Sequence, residues 1–170
     1  LVITSPLKRA RETGELTVAA SEKNFGHKIP IIEDRRIMEF NWGCWEGLGC
    51  LENNFEVPDP NYNIFYTDAF HYQGSPDGES VADVMERTAD FFNELIANPD
   101  YQDKTILIAT HGCALRAMLN PLYENRDSFW QEHVPYNCAV TIIDVQNGQA
   151  KITAKDKIYY DKSLCFDHYK

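Results

Sequence analysis

Two spacings of apolar residues run through the chain. Strand-length runs occur at Leu1-Val2-Ile3-Thr4, at Ile29-Pro30-Ile31-Ile32 and across 105–109, where Ile106, Leu107, Ile108 and Ala109 follow one another without a polar break. The last run is too short for a helix and apolar throughout, which predicts a strand buried on both faces, as in a parallel sheet. Helical spacing follows two of these runs. After the first, Ala10, Thr13, Leu16, Thr17 and Ala20 form a small-residue face, with Ser5 expected as N-cap and Pro6 at the first helical position. After the third comes Ala114-Leu115-Arg116-Ala117-Met118-Leu119. Gly112 in front of it is expected to turn the backbone sharply and present amide N–H groups at a helix N-terminus, a place that favours anions.

The clearest helix starts at Ser80. Val81, Val84, Met85, Thr88, Phe91, Phe92, Leu95 and Ile96 keep helical spacing until Pro99, and Ser80 with Asp83 predicts a capping box. Near the end, 138–145 and 150–154 alternate around Asn147-Gly148, which predicts a hairpin. Two segments keep neither period. Residues 33–47, with Trp42, Gly43, Trp45 and Gly47, read as an ordered loop of the kind that carries functional groups. Residues 48–77, rich in aromatics and asparagine, read as a partly helical, lid-like insertion more than a core element. The 170 residues are otherwise expected to form one domain, 1–170.

Composition narrows the chemistry. A net charge of −10 leaves little basic surface for nucleic acid or an anionic membrane, so neither is expected as a partner. No apolar run reaches membrane-spanning length, and the five cysteines show neither a disulfide framework nor zinc spacing, so a reduced, cytoplasmic protein without metal or cofactor is expected. An acidic protein can still hold a phosphate where its few cations gather.

Three residues stand where such chemistry would need them. His111 follows the 105–109 strand at its carboxyl end, where ligands of parallel sheets collect; it is a ligand or proton-transfer group, or a buried structural histidine. Arg9 falls in the first turn of a helix, against the helix dipole, which suits a facing anion or else a solvated surface position. Glu39 lies between Met38 and Phe40 and near Trp42. Such apolar company lets a carboxyl keep a proton to donate, unless the side chain points to water. Glu79 lines the pocket or favours the helix start, and Asn137 stands near a sheet edge.

Four stretches, in this order, resemble the histidine phosphatase superfamily, the phosphoglycerate-mutase-like phosphatases. They are Ser5-Pro-Leu-Lys-Arg9-Ala-Arg-Glu-Thr13, Met38-Glu39-Phe-Asn-Trp-Gly43-Cys-Trp45-Glu46-Gly47, Asp77-Gly78-Glu79-Ser80 with Asp83, Val84 and Arg87, and Ala109-Thr-His111-Gly112; Asn137-Cys-Ala-Val-Thr141 fits the family's late strand. The resemblance implies an α/β fold, a three-layer sandwich whose mostly parallel central sheet is flanked by helices. It implies a phosphomonoester hydrolase acting on a small phosphorylated substrate through a phosphohistidine. Arg9 and His111 would hold the phosphoryl oxygens and Glu39 would protonate the leaving oxygen and later activate water, with Glu79 and Asn137 behind or beside them. A phosphoglycerate-type mutase and a non-catalytic phosphate-binding module stay open as alternatives.

One family feature has no counterpart. The nucleophile of the family lies in an Arg-His-Gly motif ending the first strand, and no Arg-His-Gly occurs here. His111 matches the family's second histidine, while His27, His71, His133 and His168 sit in other contexts. The nucleophile and first strand are therefore expected upstream of Leu1, and residues 1–170 alone are expected to be inactive and poorly folded.

Overall fold

A computed structural model describes residues 1–51, 54–131 and 134–165; His133 and His168 lie outside them. In chain order the elements are β1 (Val2–Thr4), α1 (Lys8–Phe25), β2 (Ile31–Glu33), β3 (Cys50–Leu51), β4 (Asn54–Phe55), α2 (Ile64–Thr67), α3 (Val81–Ala97), β5 (Leu107–Ala109), α4 (Gly112–Leu119), β6 (Val140–Gln146) and β7 (Gln149–Lys157). The parallel sheet has the order β2-β1-β5, with Val2 opposite Ile31 and Leu107, and Thr4 opposite Glu33 and Ala109.

Alternation along β1 builds the three layers. Val2 and Thr4 face α1 so closely that a Cβ on Gly14 would clash with the Thr4 side chain. Ile3 points the other way and packs with Phe91 and Phe92 of α3 and Met118 and Leu119 of α4. Val2, Ile3 and Thr4 are all buried, so β1 holds the middle of the sheet. The expectation that the 105–109 strand is buried on both faces is corrected. β5 pairs only with β1 among the described residues, and Leu107 on it is 38% exposed.

Several local expectations shift for physical reasons. Ser5 and Pro6 precede α1 rather than cap it; the helix begins at Lys8 after Leu7, and the Ser5 hydroxyl oxygen accepts from the Leu7 N–H and also meets His111. The buried face of α1 is Ala10 and Gly14, while Leu16 is 71% exposed, because close contact with β1 selects the two smallest residues. Residues 48–77 contribute core: Val57, Tyr62, Phe65, Ala69 and Tyr72 join Phe40, Trp45, Val81, Val84 and Ala117 in the larger apolar cluster. The capping box at Ser80 and Asp83 forms in both directions. The hairpin closes through Asn147 and Gly148, both at positive φ. No helix among the described residues is long and apolar enough to cross a membrane.

Candidate active site

The site grows from strand register. Because Thr4 and Ala109 are partners in adjacent parallel strands, β1 and β5 end side by side, and the Ser5 N–H bonds the Ala109 carbonyl at 2.9 Å. The chain leaving β1 enters the first turn of α1 with Arg9. The chain leaving β5 reaches His111, which takes the N-cap position of α4. Two residues 102 positions apart thus meet: Arg9 Nε donates to His111 Nδ1 at 3.1 Å.

That contact fixes the imidazole tautomer. A guanidinium N–H only donates, so Nδ1 carries a lone pair and the ring proton sits on Nε2, 2.8 Å from the Ser5 hydroxyl oxygen. Burial first, then repulsion from Arg9 and Arg87, pushes His111 down to about 4. His111 is therefore a neutral imidazole at neutral pH. An unfolded histidine titrates near 6.5, so between these values the unfolded chain binds the extra proton. The stabilisation is complete above pH 6.5 and is lost as pH falls toward 4. A His111→Gln variant is expected to flatten that part of a plot of urea midpoint against pH; an unchanged slope would contradict the neutral assignment.

Glu39 reaches the same place from a third direction. Its Oε1 accepts from the backbone N–H groups of Phe40 (3.0 Å), Cys113 (3.1 Å) and Ala114 (3.2 Å). The company is therefore mixed: Phe40 and Trp42 follow it in the chain and line the same cleft, while the first amides of α4 meet its carboxyl group. The amide N–H groups expected behind Gly112 are presented there without a positive φ, and the acceptor that occupies them is the chain's own Glu39 side chain.

The backbone that carries Glu39 is clamped. Thr110 Oγ1 donates to the Ile37 carbonyl at 2.9 Å. Arg87 of α3 donates from Nη1 to the carbonyls of Arg36 (2.7 Å) and Met38 (2.8 Å), and from Nη2 to that of Glu39 (3.2 Å). Its remaining N–H groups hold Glu79, at 2.6 Å to Oε1 and 3.0 Å to Oε2, and Glu79 Oε2 in turn accepts from the Asn41 N–H. Arg87→Ala is expected to cost about 2–4 kcal/mol in urea unfolding, since three carbonyls lose their guanidinium donor and the half-buried Glu79 keeps only the Asn41 N–H. A change below about 0.5 kcal/mol would show that the clamp is dispensable.

A continuous cleft of about 2240 Å³ is lined by Arg9, Glu39, His111 and Asn137 and extends between β5 and strand β6. Asn137 is exposed there, and its carbonyl accepts from the Tyr160 hydroxyl at 2.7 Å. Glu79 is not part of the cleft wall but stands behind the Glu39 loop with Arg87. His71 is exposed and paired with Asp68 at 2.8 Å. Ser5 and Arg87 were not singled out as site residues from sequence. For Arg87 a signal existed, a cation beside the apolar stripe of Val84, Thr88 and Phe91. Among the described residues no group of three or more His, Cys, Asp or Glu side chains is placed to hold a metal ion.

Comparison with known proteins gives concordant results. The profile of the Histidine phosphatase superfamily (branch 1) matches residues 1–157. The 2,3-bisphosphoglycerate-dependent phosphoglycerate mutase of Hydrogenobaculum sp. is 26% identical over 95% of this chain and 73% of its own length. The enzyme of the same name from Corynebacterium efficiens is 29% identical over 72% of this chain, which spans 56% of that protein. Among solved structures, YhfR of Bacillus stearothermophilus superposes with a TM-score of 0.77 at 27% identity, covering 92% of this chain and 73% of that one. A mycobacterial glucosyl-3-phosphoglycerate phosphatase shares the fold with a TM-score of 0.71 at 19% identity, covering 92% and 76%.

Proposed function

The chain belongs to the histidine phosphatase superfamily, and we propose that its protein is a phosphomonoester hydrolase working through a phosphohistidine. The observation that carries this reading is the convergence of Arg9, His111 and Glu39 in one cleft at the carboxyl ends of two adjacent parallel strands. Phosphoryl transfer depends on positioning, on cations around the equatorial oxygens and on a proton for the leaving oxygen. Arg9 supplies the cation and His111 a neutral N–H donor. Glu39, held at the mouth of α4, gives its proton to the leaving alkoxide as the P–O bond breaks and a histidine nitrogen bonds to phosphorus. The same carboxylate then takes a proton from water, whose oxygen displaces the histidine and releases inorganic phosphate.

In this reading the attacking histidine comes from upstream of Leu1. His27 and His71 are exposed and outside the cleft wall. Among the described residues one edge of β5 has no strand beside it, and a further parallel strand on that edge would end beside Thr110 and His111. The chain also spans only 73% and 56% of the two mutases it matches. These facts support a supplied strand and nucleophile. Asn137 is assigned to the pocket wall and Glu79 to orienting the Glu39 loop.

The test uses the full-length protein. Release of inorganic phosphate from a simple phosphomonoester, without added bisphosphorylated acid, is the expected result. Phosphate movement between two positions of a glycerate that requires a bisphosphoglycerate primer would make the protein a mutase instead. Tight vanadate binding with no turnover would make it a phosphate-binding module.

A further inference from the structure

The aromatic residues that the fold gathers beside Glu39 are more than core. Phe40, next in sequence to Glu39, contacts Trp42 (ring centroids 4.8 Å apart) and Phe65 (5.0 Å). Phe65 contacts Trp130 at 4.9 Å, and Trp42 contacts Tyr62 at 5.4 Å. Tyr66 lies nearly parallel to Trp130, 16° between planes at 5.9 Å. All six line the cleft that contains Glu39. An unbroken run of rings thus leads from the proposed proton donor to Tyr66, which is 44% exposed.

Three of the polar tips of this wall are engaged within the chain. Tyr62 and Tyr66 share a hydrogen bond between their hydroxyls at 2.8 Å, and Trp130 Nε1 donates to the Phe65 carbonyl at 3.1 Å. Those bonds orient Tyr66 and Trp130 over the buried Phe40, Tyr62 and Phe65, and the faces and edges of Tyr66 and Trp130 are what a ligand meets. Fixed rings bind flat apolar groups at small entropic cost. Leu48, 38% exposed, continues the apolar lining. A leaving group attached to an oxygen within reach of Glu39 would lie against this surface.

Resting on the phosphomonoesterase reading, we infer that the preferred substrates are phosphomonoesters of aromatic or bulky apolar alcohols rather than of small polyols or sugar acids. Tyr66 and Trp130 set that preference. Esters with similar alkoxide leaving groups separate recognition from intrinsic reactivity. In the full-length protein, kcat/KM for 2-naphthylethyl phosphate should exceed that for glycerol 3-phosphate and for 3-phosphoglycerate by about tenfold or more. Tyr66→Ala and Trp130→Ala should each shrink that ratio by about fivefold or more. A ratio of two substrates on one preparation does not depend on the folded fraction.

Equal or better turnover of glycerol 3-phosphate or 3-phosphoglycerate, or a ratio unmoved by both substitutions, overturns the inference while leaving the hydrolase reading intact. Binding of the non-hydrolysable 2-naphthylethylphosphonate reads the wall without turnover. If no ester is hydrolysed but the phosphonate binds, and binds less tightly after either substitution, the hydrolase reading fails and the aromatic preference stands.

Discussion

Glu39→Gln in the full-length protein is expected to lower kcat on an alkyl phosphate by about 10²–10⁴-fold, the usual contribution of a positioned proton donor. The substitution is mild structurally, since a glutamine oxygen can still accept from the Phe40, Cys113 and Ala114 amides that hold Glu39. The loss should depend on the leaving group. A nitrophenolate departs without a proton, so p-nitrophenyl phosphate should still phosphorylate the enzyme at nearly the normal rate. The phosphoenzyme should then accumulate, because water activation also needs the carboxylate. A burst of nitrophenol followed by slow turnover is the expected trace. An equal loss in the burst and the alkyl ester rate would reduce Glu39 to a binding group.

Arg9→Ala should cost about 10²–10³-fold in kcat/KM, comparable to removal of one preorganised donor to a developing negative charge. It should also weaken competitive inhibition by vanadate. A second signature follows from its charge, which together with that of Arg87 depresses His111, after burial. Removing it should move the His111 titration upward in an NMR experiment. Arg9→Lys should restore part of the charge effect and little of the rate, because the Nε–H that meets His111 Nδ1 at 3.1 Å is missing. Activity near the original level in Arg9→Ala would remove Arg9 from the phosphate site.

What the sequence revealed followed the range of the interactions. The Ser80–Asp83 box and the Asn147-Gly148 hairpin are set by neighbours a few residues apart, and both form as the pattern predicts. His111 could be placed at a strand's carboxyl end from the 105–109 run alone. Its tautomer could not, because the Arg9 and Ser5 contacts that fix it come from more than 100 residues away in the chain. The same distance effect explains the β5 error: an apolar run looks alike whether or not a neighbouring strand covers its edge. In residues 48–77 the aromatic content was plain, but aperiodic polar spacing hid that Tyr62, Phe65 and Tyr72 are core. Arg87 illustrates the converse. A cation beside the stripe of Val84, Thr88 and Phe91 marks its position, but the three carbonyls that it clamps are backbone groups which the stripe does not specify.

The most direct measurement is to quench the full-length protein during turnover of a phosphomonoester and locate the phosphate by peptide mass mapping under conditions that preserve phosphoramidates. The expected result is one acid-labile phosphohistidine, N-terminal to Leu1, that forms and decays at rates compatible with kcat and builds up in Glu39→Gln. Phosphate on His111, or steady turnover with no phosphorylated histidine, would contradict the mechanism.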